Sequence, residues 1–167
     1  MKALFNAAIE ICLLKRGPQD LPTSIHLLWL TTLLNMFVGI LMLTDAQSGI
    51  VRAIWQTLFE LALMLGMLYT ALRLRGLTQR LIQAVTALML SGFLLGMLAL
   101  PLISWSKQSQ SVESGLLFLI VFSWGIVVFG HILRHTFDFS LNVGIAAALL
   151  YTMVAGSLVA IFFPVVT

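Results

Sequence analysis

Five stretches of about 20 predominantly apolar residues, divided by short polar breaks, dominate this sequence. A helix rising about 1.5 Å per residue needs that length to cross a hydrocarbon layer of about 30 Å. The windows fall near 24–43, 50–72, 81–104, 115–133 and 141–163. Lipid supplies no partner for backbone N–H and C=O groups, so segments of this kind satisfy them internally, as helices. The expected fold class is all-α: a polytopic membrane helix bundle of five transmembrane helices. Composition excludes a soluble domain, because 60% of the 167 residues are hydrophobic and only 9% are charged, against roughly a quarter charged in soluble domains.

The breaks are legible in themselves. In "KRGPQDLPTS", Gly17, Pro18 and Pro22 stop one helix and leave Thr23 or Ser24 to cap the next. "TDAQSG" and "SWSKQSQSVESG" are polar turns, "RLRGLTQR" and "RHTFDF" are charged ones, and Pro164 ends the last span. With five spans, Lys2, Lys15, Arg16, Arg73, Arg75, Arg80 and Arg134 fall on one side and only Arg52 and Lys107 on the other. The positive-inside rule then puts the N-terminus in the cytoplasm and the C-terminus outside. Trp105 and Tyr69 stand where interfacial aromatics belong. The net charge of +3 comes from scattered basic residues, never a run, so no nucleic-acid partner is expected.

Residues 1–16, "MKALFNAAIEICLLKR", resemble a signal peptide only superficially: Asn6 and Glu10 interrupt the apolar part, and Lys15 and Arg16 stand where a cleavage site should lie. The segment is expected to be retained. Leu4, Ala7, Ala8, Ile11 and Leu14 recur at helical spacing, predicting an amphipathic interfacial helix. It either lies on the cytoplasmic leaflet, with its basic residues at anionic headgroups, or packs beneath the bundle. Residues 17–23 form a linker and 24–167 the transmembrane domain. Cys12, the single cysteine, excludes an internal disulfide.

Close approach through small residues drives helix association in lipid. The fifth span carries Gly144, Ala148, Thr152, Gly156 and Ala160, one small residue every four, and the third carries Gly92 and Gly96. These predict helix-contact surfaces, within the chain or between copies.

Polar side chains within spans are costly, and Glu60 is the acid that falls deep in one. Asn35, Ser91, Ser123, Trp124 and Tyr151 fall at similar depth. Glu60 can be read as a proton or cation relay with Asn35 and Tyr151 as partners, as an interhelical hydrogen-bond donor, or as a contact to another subunit. His131, His135 and Asp138 in "GHILRHTFDFS" have the spacing of a metal-binding helix face, but Arg134 between the histidines opposes a divalent ion. The favoured reading makes His131, Arg134 and His135 a helix C-terminal cap, with no metal. His26 and His131, at matching depth, offer a haem ligand pair without any cofactor cleft. No phosphate loop, nucleophile elbow or facing carboxylate pair occurs, so neither an enzyme nor a cofactor is expected.

The phrases "LRLRGLTQRLIQAVTALMLSGFLLGMLALPL" and "WGIVVFGHILRHTFDFSLNVGIAAALLY" resemble small proteobacterial inner-membrane proteins, and the span count and orientation are similar to Yip1-type membrane proteins. The resemblance implies a multi-pass protein of the bacterial inner membrane and transfers no site residues. The first functional expectation is a non-enzymatic binding, assembly or scaffold subunit. Its partners would be lipids and other membrane proteins or further copies, met through a cytoplasmic basic face of Lys15, Arg16, Arg73, Arg75, Arg80 and Arg134. The alternative is a small transporter or proton-coupled channel using Glu60, and a third reading is a metal or haem protein.

Overall fold

Each apolar window becomes one helix, and the helix ends fall where turn chemistry dictates. The computed structural model describes residues 2–44, 49–109 and 112–164, without the side chains of 2–4 and 106–109. The side chains of Lys2, Leu4 and Lys107, and the turn at 45–48, to which the sequence assigned roles, lie outside the described residues. The elements are α1 (Lys2–Cys12), α2 (Ile25–Leu43), α3 (Gly49–Leu74), α4 (Leu81–Ser109), α5 (Val112–Phe137) and α6 (Leu141–Phe162). Helices α2 to α6 are each long and apolar enough to cross a membrane. The protein is an all-α membrane helix bundle.

Ser24 caps α2 by accepting from Leu27 N at 3.4 Å, and Ser140 caps α6 by accepting from Val143 N. Three helices at one end of the bundle share a C-terminal device. Lys15 N bonds Glu10 O, Leu77 N bonds Leu72 O and Phe139 N bonds Arg134 O, each after a residue in the left-handed region. Those residues are Leu14 (φ 61°), Gly76 (φ 69°) and Asp138 (φ 58°). The pattern satisfies carbonyls that the helix leaves orphaned. It also closes α1 at Cys12, four residues before the expected boundary at 16, because Leu14 has already left the helix. Helix α5 exceeds its expected window at both ends, since an amphipathic last turn with charged residues extends a helix beyond its apolar run.

Helix α4 is the centre, with α2 and α5 on its flanks, while α6 packs on α5. Helix α3 is held more lightly, by α2, α4 and α6. The α2–α4 contact uses the predicted small residues: a Cβ at Gly92 would lie 2.6 Å from Asn35 Oδ1, and one at Gly96 would lie 2.6 Å from Val38 Cγ1. The α5–α6 contact is tighter still and is made backbone to backbone. A Cβ at Gly144 would fall 2.3 Å from Gly130 O, and one at Gly130 would fall 2.6 Å from Ile145 Cα. Gly130, not singled out by the sequence, is the partner that the α6 ridge needs. The ridge itself is only half used. Gly144 and Ala148 are buried and Thr152 is half-buried, whereas Gly156 and Ala160 are exposed, and a Cβ at Gly156 would meet nothing within 4 Å.

Helix α1 packs against the bundle, which decides between its two placements. Ala7, Ala8 and Ile11 are buried, α1 touches α4 and α5, and Trp124 Nε1 donates to Cys12 O at 3.0 Å. The segment after it is no loose linker. Gly17, Pro18 and Leu21 are buried, Pro18–Asp20 form a short 3-10 turn, and the Gln83 amide donates to Gln19 O and Leu21 O at 3.2 and 2.9 Å. These pieces close one end of the bundle around Leu68, Leu72, Ile132 and Phe137, all buried. Trp29, Leu33, Ile120, Leu150 and Met153 face outward, the surface that a hydrocarbon solvent accepts.

Candidate functional site

Away from the closed end the helices part around a cavity of about 420 Å³, within the range of small-molecule sites. All five long helices line it. Asn35, Thr57, Glu60, Ser91, Tyr151 and Thr152 supply its polar groups, and the remainder is methionine, aromatic, aliphatic and glycine surface. The lining runs from Met64, Met89 and Phe129 near mid-bundle to Met42, Ala99 and Phe118 toward the far end. Glu60, eleven residues into α3, stands roughly 16 Å from that helix's start.

Glu60 is half-buried and accepts a hydrogen bond from Gln56 Nε2 at 3.0 Å, one turn earlier on the same helix face. Among the described residues no lysine, arginine or histidine lines the cavity and Glu60 is its one acid, without a basic counterpart there. Asn35 turns its amide nitrogen to Met89 Sδ at 3.5 Å and leaves its oxygen over Gly92. Tyr151 lies in edge contact with Phe129, ring centroids 5.4 Å apart. The structure therefore brings Glu60, Asn35, Ser91 and Tyr151 to one chamber, as their depths predicted. It does not bring Ser123 or Trp124, which are exposed on another face of α5. Sequence reasoning missed Thr57 and Gln56; their spacing from Glu60, three and four residues, was the available signal.

Most of the described basic residues gather at the closed end, largely engaged within the chain, while Arg52 at the other end donates to Phe163 O at 2.8 Å. Arg80 Nη1 donates to Thr136 O at 3.0 Å and to Asp138 Oδ2 at 2.8 Å, the Arg75 guanidinium lies 4.8 Å over the Phe139 ring, and Arg16 Nε pairs with Glu10 Oε2 at 2.6 Å. Lys15 and Arg73 are exposed and Arg134 is half-buried. Arg80, from the short turn before α4, thus caps α5 together with Arg134 and His135 in its last turn, where the sequence had placed these two and His131. His131 is instead buried, with Nε2 2.9 Å from Arg16 O and Nδ1 without a hydrogen-bond partner. Its ring meets that of His135 edge-on at 4.6 Å. Asp138 pairs with Arg80 and shares a polar recess with His135. Among the described residues no group of three or more His, Cys, Asp or Glu is placed to hold a metal ion. His26 is exposed on the first turn of α2.

Cys12 is half-buried, and burial pushes its thiol from 9.0 up to about 11, so it is an unreactive apolar filler at neutral pH. A second, polar recess of about 260 Å³ lies between Gln19, Arg80, Gln83 and His135. Its groups are occupied with one another, as Gln19 Nε2 lies 3.4 Å from His135 Nδ1 and Arg80 and Gln83 bond as described above. No family model, curated protein or solved structure matches this chain. What the fold and the cavity define is a class: a membrane protein with, among the described residues, five apolar helices and one acid in the cavity between them.

Proposed function

We propose that this chain is a small membrane carrier or receptor whose ligand occupies the Glu60 cavity. The observation that carries the reading is the combination of a chamber lined by all five long helices and a single carboxylate without a basic partner among the described lining residues. A carboxylate among apolar side chains costs desolvation, and a ligand that pairs with it and covers the apolar surface around it offsets that cost. Close packing at the basic end and looser packing around α3 support access from the opposite half of the bundle or from lipid. The alternative, a scaffold using the basic face, is weakened because Arg16, Arg75 and Arg80 already have partners within the chain.

The test is thermal unfolding of the detergent-purified chain across a panel of lipophilic compounds. A ligand at 100 times its Kd stabilises by about 2.7 kcal/mol, or roughly 5–10 °C for a chain of this size. The shift is expected to vanish in Gly125→Leu. Gly125 lines the cavity and its Cβ would meet only Leu95 Cδ1, at 3.7 Å, so the longer side chain fills the space without a backbone clash. A panel without a single such shift removes the reading.

For orientation we infer a bacterial inner-membrane protein with the basic end in the cytoplasm, from the positive-inside rule. An impermeant thiol reagent added outside should then label Thr44→Cys and spare Arg73→Cys; the reverse pattern inverts the topology.

A further inference from the structure

The polarity of the cavity identifies the kind of ligand it takes. Four hydroxyls line it, and all but the Tyr151 phenol spend their proton on their own helix: Thr57 Oγ1 donates to Ala53 O at 2.8 Å, Ser91 Oγ to Leu88 O at 3.2 Å, and Thr152 Oγ1 to Ala148 O at 2.8 Å. Their oxygens keep lone pairs for whatever enters. The Asn35 amide nitrogen is directed to Met89, which leaves its carbonyl oxygen as the group over Gly92. Gln56 donates to Glu60 from the side and leaves the carboxylate able to accept more. Among the described residues the chamber therefore presents mainly acceptors and a carboxylate, and no cationic side chain.

The apolar part of the wall points the same way. Phe118 and Phe122 stack with centroids 6.3 Å apart, and Phe129 and Tyr151 add a second aromatic pair, all on the lining. Aromatic faces attract cations, most strongly where water is excluded. Met36, Met42, Met64 and Met89 supply polarizable thioethers that adapt to ligand shape. An anion would meet the Glu60 carboxylate, hydroxyl lone pairs and the negative faces of rings, with only the Tyr151 hydroxyl and one Asn35 N–H as donors. A neutral ligand would leave Glu60 without a charged partner.

We propose that the Glu60 cavity binds a lipophilic organic cation, with the charge paired to Glu60 and its apolar groups among the aromatic and methionine side chains. This assignment rests on the reading of the cavity as a ligand site and adds the charge of the ligand to it. Glu60 is the specificity-determining group, and the acceptor oxygens of Thr57, Ser91 and Asn35 around it disfavour anions.

Two ions of nearly equal size and opposite charge, tetraphenylphosphonium and tetraphenylborate, separate charge from shape. Their binding to the full chain in lipid nanodiscs is measured by equilibrium dialysis, with empty nanodiscs subtracted for partition into lipid. Saturable binding of about one phosphonium per chain is expected, at least tenfold tighter than that of the borate. Glu60→Gln should lose at least tenfold of it, Glu60→Asp should keep the preference for the cation, and Gly125→Leu should abolish binding. If both ions bind equally, or if phosphonium binding survives Glu60→Gln unchanged, the charge assignment is overturned while the ligand cavity stands. If neither binds, the cation inference also fails; a neutral ligand from the stabilisation panel would keep the cavity reading, and an empty panel would remove it too. Should Glu60→Gln not fold, the Glu60→Asp preference decides, and its loss counts against the proposal.

Discussion

Replacing Gly144 by alanine should break the closest contact in the bundle, while the same change at Gly156, three turns along the same ridge, should not. At Gly144 the new methyl would sit 2.3 Å from Gly130 O, a backbone atom that no rotamer change can move. Helices α5 and α6 must separate by about 1 Å before an ordinary contact distance returns. Overpacking of this kind costs about 1–3 kcal/mol, and the better helix propensity of alanine returns about 0.5–1. The net loss is about 1–2 kcal/mol, a fall in Tm of roughly 2–8 °C. At Gly156 nothing lies within 4 Å, so only the propensity term acts. Gly156→Ala should raise Tm by roughly 1–4 °C. Helix-signal melts of the two variants in one detergent give the comparison. Shifts of equal size and sign would refute the account of α6 as a ridge engaged at one end only.

Two further outcomes test the closed end. Arg80→Gln removes both the Asp138 ion pair and the bond to Thr136 O, and should cost about 1–2 kcal/mol in detergent unfolding. Asp138→Asn removes only the pair, whose carboxylate is 70% exposed, and should cost under about 1 kcal/mol; equal costs would show that the α5 cap contributes nothing. Cys12, with its thiol raised to about 11, is protonated throughout the physiological range, and its thiolate fraction grows as pH rises toward that value. Maleimide labelling at pH 8 should run roughly a hundredfold slower than for a thiol at 9.0 and gain about tenfold per pH unit, so rapid labelling at pH 7 would contradict the burial of α1.

Much of this architecture is legible in the chain because lipid imposes a simple rule on it. Any apolar run long enough to span must be helical, so five windows became five helices, and Ser24 and Ser140 marked two of their starts. The depth argument grouped Glu60, Asn35, Ser91 and Tyr151, since residues at equal rise along antiparallel helices share a level. Depth says nothing of rotation about the helix axis, and for that reason Ser123 and Trp124 were grouped with them although they lie on another face of α5, where Trp124 meets α1.

Sequence by itself determined the helical class, the number of candidate spans and the gathering of basic residues toward one end, all of which follow from local hydropathy and turn chemistry. Only the tertiary structure decided that α1 seals the bundle, that Gly130 rather than another residue receives Gly144, that Arg80 caps α5, and that Glu60 faces a chamber. Each of these depends on the azimuth and separation of helices distant in the chain, quantities set by side-chain packing between elements and not encoded in the spacing within any one of them.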